Sequence, residues 1–211
     1  MQYTNGRAIF LVMGTASETK ISILEAAIHY AREFGLEVLS IGKLANIVGM
    51  SKSGLFAHFN SKENLQIQIL EHASELFTKK IFKPAIKRPR GIPRIRAIFD
   101  NWLKWANSAE KGGCIFVAAS IEFDDIPGKV RDYLHGVQKI WISSIEQSAE
   151  LAIEAGDFRK DTNCEQFAFE LHSIMLGFHH FNRLLDDPKA KKRTMVAFDN
   201  LIERYKVGVS K

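Results

Sequence analysis

Residues 40–65 read SIGKLANIVGMSKSGLFAHFNSKENL, and no other stretch of the chain restricts its fold so sharply. Ser40 precedes a short apolar pattern, Ile41, Leu44, Ala45 and Val48. Gly49 ends that pattern, and a second short helix is expected from Lys52 to Phe59. A serine hydroxyl accepts from a free backbone N–H of the first helical turn, and glycine takes the positive φ of a tight turn without Cβ strain. Helices this short do not persist alone in water, so the pair must cross closely and share a core. Ala45 supplies a small contact residue, Leu55 closes the core from the second helix, and Phe59 is a core residue whatever the function.

The rest of the chain is also helical in period, and nothing alternates cleanly as a strand outside the first residues. Ile21, Leu24, Ile28 and Ala31 share one face of a helix from about Ser17 to Phe34. Thr15 and Glu18 stand as a capping box before it and Gly35 as its stop. Asn60 with Glu63 predicts a cap for a longer helix from Ser61 to about Phe82, with Leu65, Ile69, His72, Leu76 and Phe77 on its buried side. Pro84, Pro89, Gly91 and Pro93 mark a boundary. Helices are expected again over Pro93–Asn107, Cys114–Phe123, Pro127–Ala155, Asn163–Leu185 and Pro188–Tyr205. The expectation is an all-α chain of about nine helices. It divides into a leader (1–16), an N-terminal helix-turn-helix unit (17–77, motif 40–59) and a C-terminal helical unit (84–211).

Composition excludes several classes. No apolar run approaches the ~20 residues needed to cross a bilayer. The run Ala8–Val12 behind Arg7 is shorter than a secretion signal core; Met13 stands as an alternative start. Cys114 and Cys164 are the two cysteines, which fits free thiols in a reducing cytoplasm rather than a disulfide framework. Formal net charge is +5, compatible with an anionic polymer partner. Lys79, Lys80, Lys83, Lys87, Arg88, Arg90, Arg94 and Arg96 run without an intervening acid, which reads first as a solvated linker and helix end. No G-x-S-x-G, phosphate-binding glycine loop or H-E-x-x-H occurs, so no catalytic set is expected.

Two short helices joined by a glycine turn are the layout of a helix-turn-helix, whose second helix enters the DNA major groove. Within that layout, residues 40–65 resemble the DNA-binding signature of the TetR/AcrR transcriptional regulators, and the likeness covers about Ser17 to Phe77. The resemblance implies that Lys52 and Ser53 reach base edges and that Gly54 lets the backbone approach. It also implies that Ser40, Ser51, His58 and Lys62 contact phosphates. Phe56 stands where the family most often has Tyr; it is expected to keep the ring packing and to lose a phosphate bond worth about 1 kcal/mol. Ala57 offers a methyl for thymine. His58 also reads as a buried polar residue, and Ser40 caps its helix with or without DNA. Lys52 and Lys62 have no acid four residues away to pair with.

The C-terminal unit is richer in candidates than in signals. Trp102, Trp105, Phe116, Phe123, Trp141, His172, Met175 and Phe178 are candidates to line an apolar ligand cavity, with plain core as the competing reading. Cys114 follows Gly112 and Gly113 at a helix start, where the dipole lowers a thiol pKa and makes it a candidate redox thiol; an inert thiol is the alternative. His172, His179 and His180 lack metal-ligand spacing, and no metal or other cofactor is expected. Glu122, Asp124 and Asp125 read as an acidic loop at a helix end, or as a greeting for a cationic ligand. The helix Asn163–Leu185 is apolar nearly all round and needs cover on two sides. The family dimerises through its last two helices, which implies a homodimer on a near-palindromic DNA operator. The expectation is a non-enzymatic, effector-responsive repressor, with an aromatic or lipophilic small molecule as effector. A DNA-bound interaction protein without ligand control is the alternative.

Overall fold

The computed structural model describes residues 16–107 and 112–208. Residues 1–15 of the expected leader, with Met13 and the Thr15 cap, lie outside the described residues, and Ala16 already opens the first helix. Ten α-helices follow in order: α1 (Ala16–Phe34), α2 (Ile41–Val48), α3 (Lys52–Phe59), α4 (Lys62–Phe77), α5 (Lys83–Ala85), α6 (Ile92–Ala106), α7 (Ile115–Phe123), α8 (Lys129–Glu154), α9 (Cys164–Arg183) and α10 (Ala190–Tyr205). A π-helical turn, Thr78–Phe82, joins α4 to α5, so these run on as one rod and the rods number nine among the described residues. An isolated bridge between Phe158 and Lys206 is the sole extended pairing there.

Caps set the register of the N-terminal helices. Ser40 Oγ accepts from the Lys43 amide at 3.2 Å and Ser51 Oγ from the Gly54 amide at 3.1 Å. Gly49 sits at φ 70° and hands the chain from α2 to α3. The cap of α4 lies one residue from the expected place. Ser61 Oγ accepts from the Asn64 amide at 3.0 Å, while Asn60 closes α3 at φ 60°. Asn is among the few non-glycine residues that tolerate the left-handed region, so the turn takes Asn60 and leaves the cap to Ser61.

Ile23, Leu44, Leu55, Phe59, Leu65 and Ile69 are fully buried and form the core of the first four helices. That core is continuous with the one beneath α6–α10, where Phe99 stacks on Phe198 at 4.0 Å. α4 packs on both α1 and α8 and so reaches from the small helices into the larger body. Two further ties join these regions. The buried Arg32 of α1 donates to the carbonyls of Gly113 (2.9 Å), Trp105 (3.2 Å) and Gly112 (3.2 Å). Glu122 of α7 accepts from the Glu37 amide at 2.7 Å, which gives this carboxylate a structural role. The basic run is not wholly solvated: Arg94 donates to the Arg88 carbonyl at 2.9 Å, Arg96 pairs with Asp199 at 2.8 Å, and Lys80 lies over the Trp105 ring.

Candidate functional site

α3 buries a stripe only two residues wide, Leu55 and Phe59, against α2 and the start of α4. Ala45 is buried on the facing side of α2. Everything else on α3 is left outside. Ser51, Lys52, Ser53, Phe56 and Ala57 are exposed, and Gly54 and His58 are half-buried. Lys52 forms no ion pair among the described residues. Phe56, expected to keep the ring packing of the family's Tyr, is 51% exposed, on the outer side of the two-residue stripe. Gly54 has a local reason as well: a Cβ there would stand 3.0 Å from the Ser51 hydroxyl that caps the helix.

Lys62 departs from the reading based on neighbours in sequence. Its ammonium pairs with the Glu37 carboxylate at 2.7 Å, an acid 25 residues away on the loop after α1. Both side chains are partly solvated, so the pair is weak, and a phosphate would compete for the lysine.

The larger body encloses a cavity of about 440 Å³ between α4, the π turn, α6, α7, α8 and α9. Of the residues expected there, Trp102, Phe116, Trp141 and His172 line it. Trp105, Phe123, Met175 and Phe178 do not. Each is buried, and Phe178 packs edge-on to Trp102 from behind, at 6.1 Å between ring centroids. Phe77, Phe82 and Tyr133 complete the aromatic wall. Phe77 stands nearly perpendicular to Phe116 and Trp141, with centroids at 5.5 and 5.2 Å. The π turn brings Thr78 and Phe82 to the same wall; such a bulge inside a helix re-aims side chains in a way that 3.6-residue periodicity does not forecast. Phe77 was legible only as a core residue of α4.

Polar groups on the wall are few and mostly partnered. Trp141 Nε1–H donates to His172 Nδ1 at 3.2 Å, which places the imidazole proton on Nε2; burial lowers the His172 pKa and keeps the ring neutral. Ser74 donates to the Leu70 carbonyl at 2.9 Å and so accepts from the Tyr133 hydroxyl at 3.3 Å. Burial, with Glu71 and Glu75 nearby, raises the Tyr133 pKa. Gln138 donates to Ser120 at 2.8 Å. On α8, the half-buried Gly136 lies between Asp132 and Ile140, both exposed, and a Cβ at Gly136 would meet nothing within 4 Å. This part of the wall is its open side.

Cys114 also lines the cavity and is the N-cap of α7. Its burial raises the thiol pKa, outweighing the backbone amides of Val117 and Phe116 that lower it. The group is a thiol at neutral pH rather than the activated thiolate its helix terminus alone predicts. Among the described residues no three His, Cys, Asp or Glu side chains gather to hold a metal. Asp124 and Asp125 lie outside the cavity wall, with Asp124 Oδ1 accepting from the Asp125 amide. No helix there is long and apolar enough to cross a membrane.

Comparisons with known proteins agree with this geometry. Residues 23–68 match the family model described as bacterial regulatory proteins, tetR family, and residues 91–198 match the tetracyclin repressor-like C-terminal domain. No curated protein matches the chain in sequence. Solved structures do in fold. A TetR-family transcriptional regulator from Cytophaga hutchinsonii superposes with a TM-score of 0.80 at 18% identity, over 94% of this chain and 100% of that one. A regulator from Saccharomonospora viridis in complex with choline gives 0.77 at 17% identity, over 91% and 100%. AibR in complex with isovaleryl coenzyme A and operator DNA gives 0.67 at 19% identity, over 88% and 96%. With one family model covering the helix-turn-helix and the other more than half the chain, the protein belongs to the TetR family of DNA-binding transcriptional regulators and is not an enzyme.

Proposed function

We propose that the protein is a cytoplasmic, homodimeric repressor that holds a near-palindromic operator and is released by a small lipophilic molecule bound in the 440 Å³ cavity. The helix-turn-helix unit, 17–77, carries the DNA contacts, and 84–211 carries effector binding and dimerisation. The observation that carries the DNA reading is α3, with its two-residue buried stripe and its otherwise outward face. Lys52 and Ser53 reach base edges from that face. Ser40, Ser51, His58 and Lys62 hold phosphates, and Phe56 and Gly54 give close apolar contact with the backbone. Free amides at helix starts favour the same anions.

Dimerisation is supported by the outer side of α9 and α10, where Phe169 is 66% exposed and Leu176, Phe181 and Val196 are also uncovered. A second copy on that side gives an isologous dimer with two recognition helices. Relatives of the same fold bound to choline, or to isovaleryl coenzyme A with operator DNA, support an effector site in this architecture. α4 supports coupling: its first turns hold Leu65 and Ile69 in the core beneath α3, and its last hold Ser74 and Phe77 on the cavity wall. A ligand that shifts α4 changes the spacing of the recognition helices, with a reciprocal coupling of about 1–3 kcal/mol.

The test is operator selection from a random DNA pool, followed by binding against salt. The parent is expected to lose affinity steeply and linearly on logarithmic axes. Lys52→Ala should weaken the selected site by about tenfold or more, as removal of a base-edge contact does. Sequence-blind binding, or Lys52→Ala binding as tightly as the parent, overturns the reading.

A further inference from the structure

Among the described residues, the cavity wall has one charged side chain. Asp132, at the open side of the cavity beside Gly136, is exposed and forms no ion pair among the described residues. The nearest lysine and arginine along the helix are committed elsewhere: Arg131 Nε donates to the Asp124 carbonyl at 2.8 Å, and Lys129 faces Glu63 at 3.8 Å. No lysine or arginine among the described residues contributes to the wall. Lys79 and Lys83 follow Thr78 and Phe82 in sequence but line a separate groove with Pro84, Lys87 and Arg88. The interior is aromatic, and its imidazole is neutral. Among the described residues of the wall, an anion placed here would find no cationic partner and one repelling carboxylate. A cation would find aromatic faces, whose quadrupoles attract positive charge, and a carboxylate at the solvent edge, where neither charge is fully desolvated.

We infer that the effector is a lipophilic cation, its apolar body enclosed by Phe77, Trp102, Phe116 and Trp141 and its ammonium group at the rim against Asp132. The inference rests on the reading of this cavity as the effector site and adds the charge of the ligand to it. The Tyr133 hydroxyl, with Ser74 as its acceptor, keeps its own oxygen open as an acceptor for an N–H of the same ammonium group.

Three probes with one skeleton separate the possibilities: decylammonium, decanol and decanoate, titrated into the full chain by the fluorescence of Trp102 and Trp141. Decylammonium should bind about tenfold tighter than decanol, the range of an edge ion pair with cation–π support, and decanoate should bind weakest. Asp132→Asn, with an unchanged unfolding temperature as control, should remove the advantage of decylammonium and leave decanol unaffected. Decanol equal to decylammonium, decanoate tightest, or an unchanged preference in Asp132→Asn overturns the cation assignment while the cavity remains a binding site. Failure of all three probes to bind overturns both.

Discussion

Gly49 and Gly112 both take positive φ, in two different regions, and do different work. Gly49 turns α2 into α3 at φ 70°, and a Cβ there would meet nothing within 4 Å. Gly112, in the connection before α7, sits at φ 90°, and a Cβ there would fall 2.2 Å from the backbone carbon and oxygen of Arg32. The first glycine answers a local demand of the turn. The second answers a tertiary one, because α1 and the α6–α7 connection approach so closely that Arg32 can donate to three carbonyls across the join. The helix-turn-helix is thus built from short-range instructions, and the body from approaches between distant segments.

The largest expected effect breaks or keeps that distinction. Gly112→Ala combines left-handed strain with a backbone collision and should cost about 3 kcal/mol or more by chemical denaturation. Gly49→Ala, strained but unobstructed, should cost about 1 kcal/mol. Equal losses would mean that the Gly112 contact relaxes freely and that the two turns are alike.

A second expectation concerns the same join. His179 of α9 stands against Gly113, and its pKa is lowered to about 4, first by burial and then by Arg183 and His180. The unfolded chain binds this proton more readily between pH 6.5 and about 4. The resulting stability is fully present above pH 6.5 and is lost as pH falls toward 4. His179→Gln should flatten that part of the stability–pH curve. A curve that keeps its slope in the variant places the titration elsewhere.

The smallest expected effect lies on the DNA-binding side. Glu37→Gln removes a solvated ion pair and should change stability by no more than about 0.5 kcal/mol. It also frees Lys62, so operator affinity should rise and the salt slope steepen by about one ion. An unchanged slope would show that Lys62 does not reach a phosphate.

The legible parts of the chain are those written in neighbouring residues. Ser40, Ser51 and Gly49 announce their helix ends because caps and turns satisfy backbone groups within a few positions. Leu55 and Phe59 announce the buried side of α3 by their four-residue spacing. The Asn60–Ser61 boundary lies one residue from where sequence alone puts it, since Asn serves equally as a cap and as a left-handed turn residue. The cavity was half legible: aromatic content named Trp102, Phe116, Trp141 and His172. The same reading included Trp105, Phe123, Met175 and Phe178, which are buried but do not line the cavity, because periodicity identifies an inward face without saying whether that face meets side chains or a void.

The sequence by itself determined the helices, their caps and the helix-turn-helix that carries the family signature, since each depends on interactions spanning a handful of residues. Tertiary structure alone decided the partner of Lys62, the three-carbonyl seat of Arg32, the protonated state of Cys114 and the shape of the cavity. Those depend on distances between segments tens of residues apart and on the exclusion of water, and neither quantity is set until the helices pack.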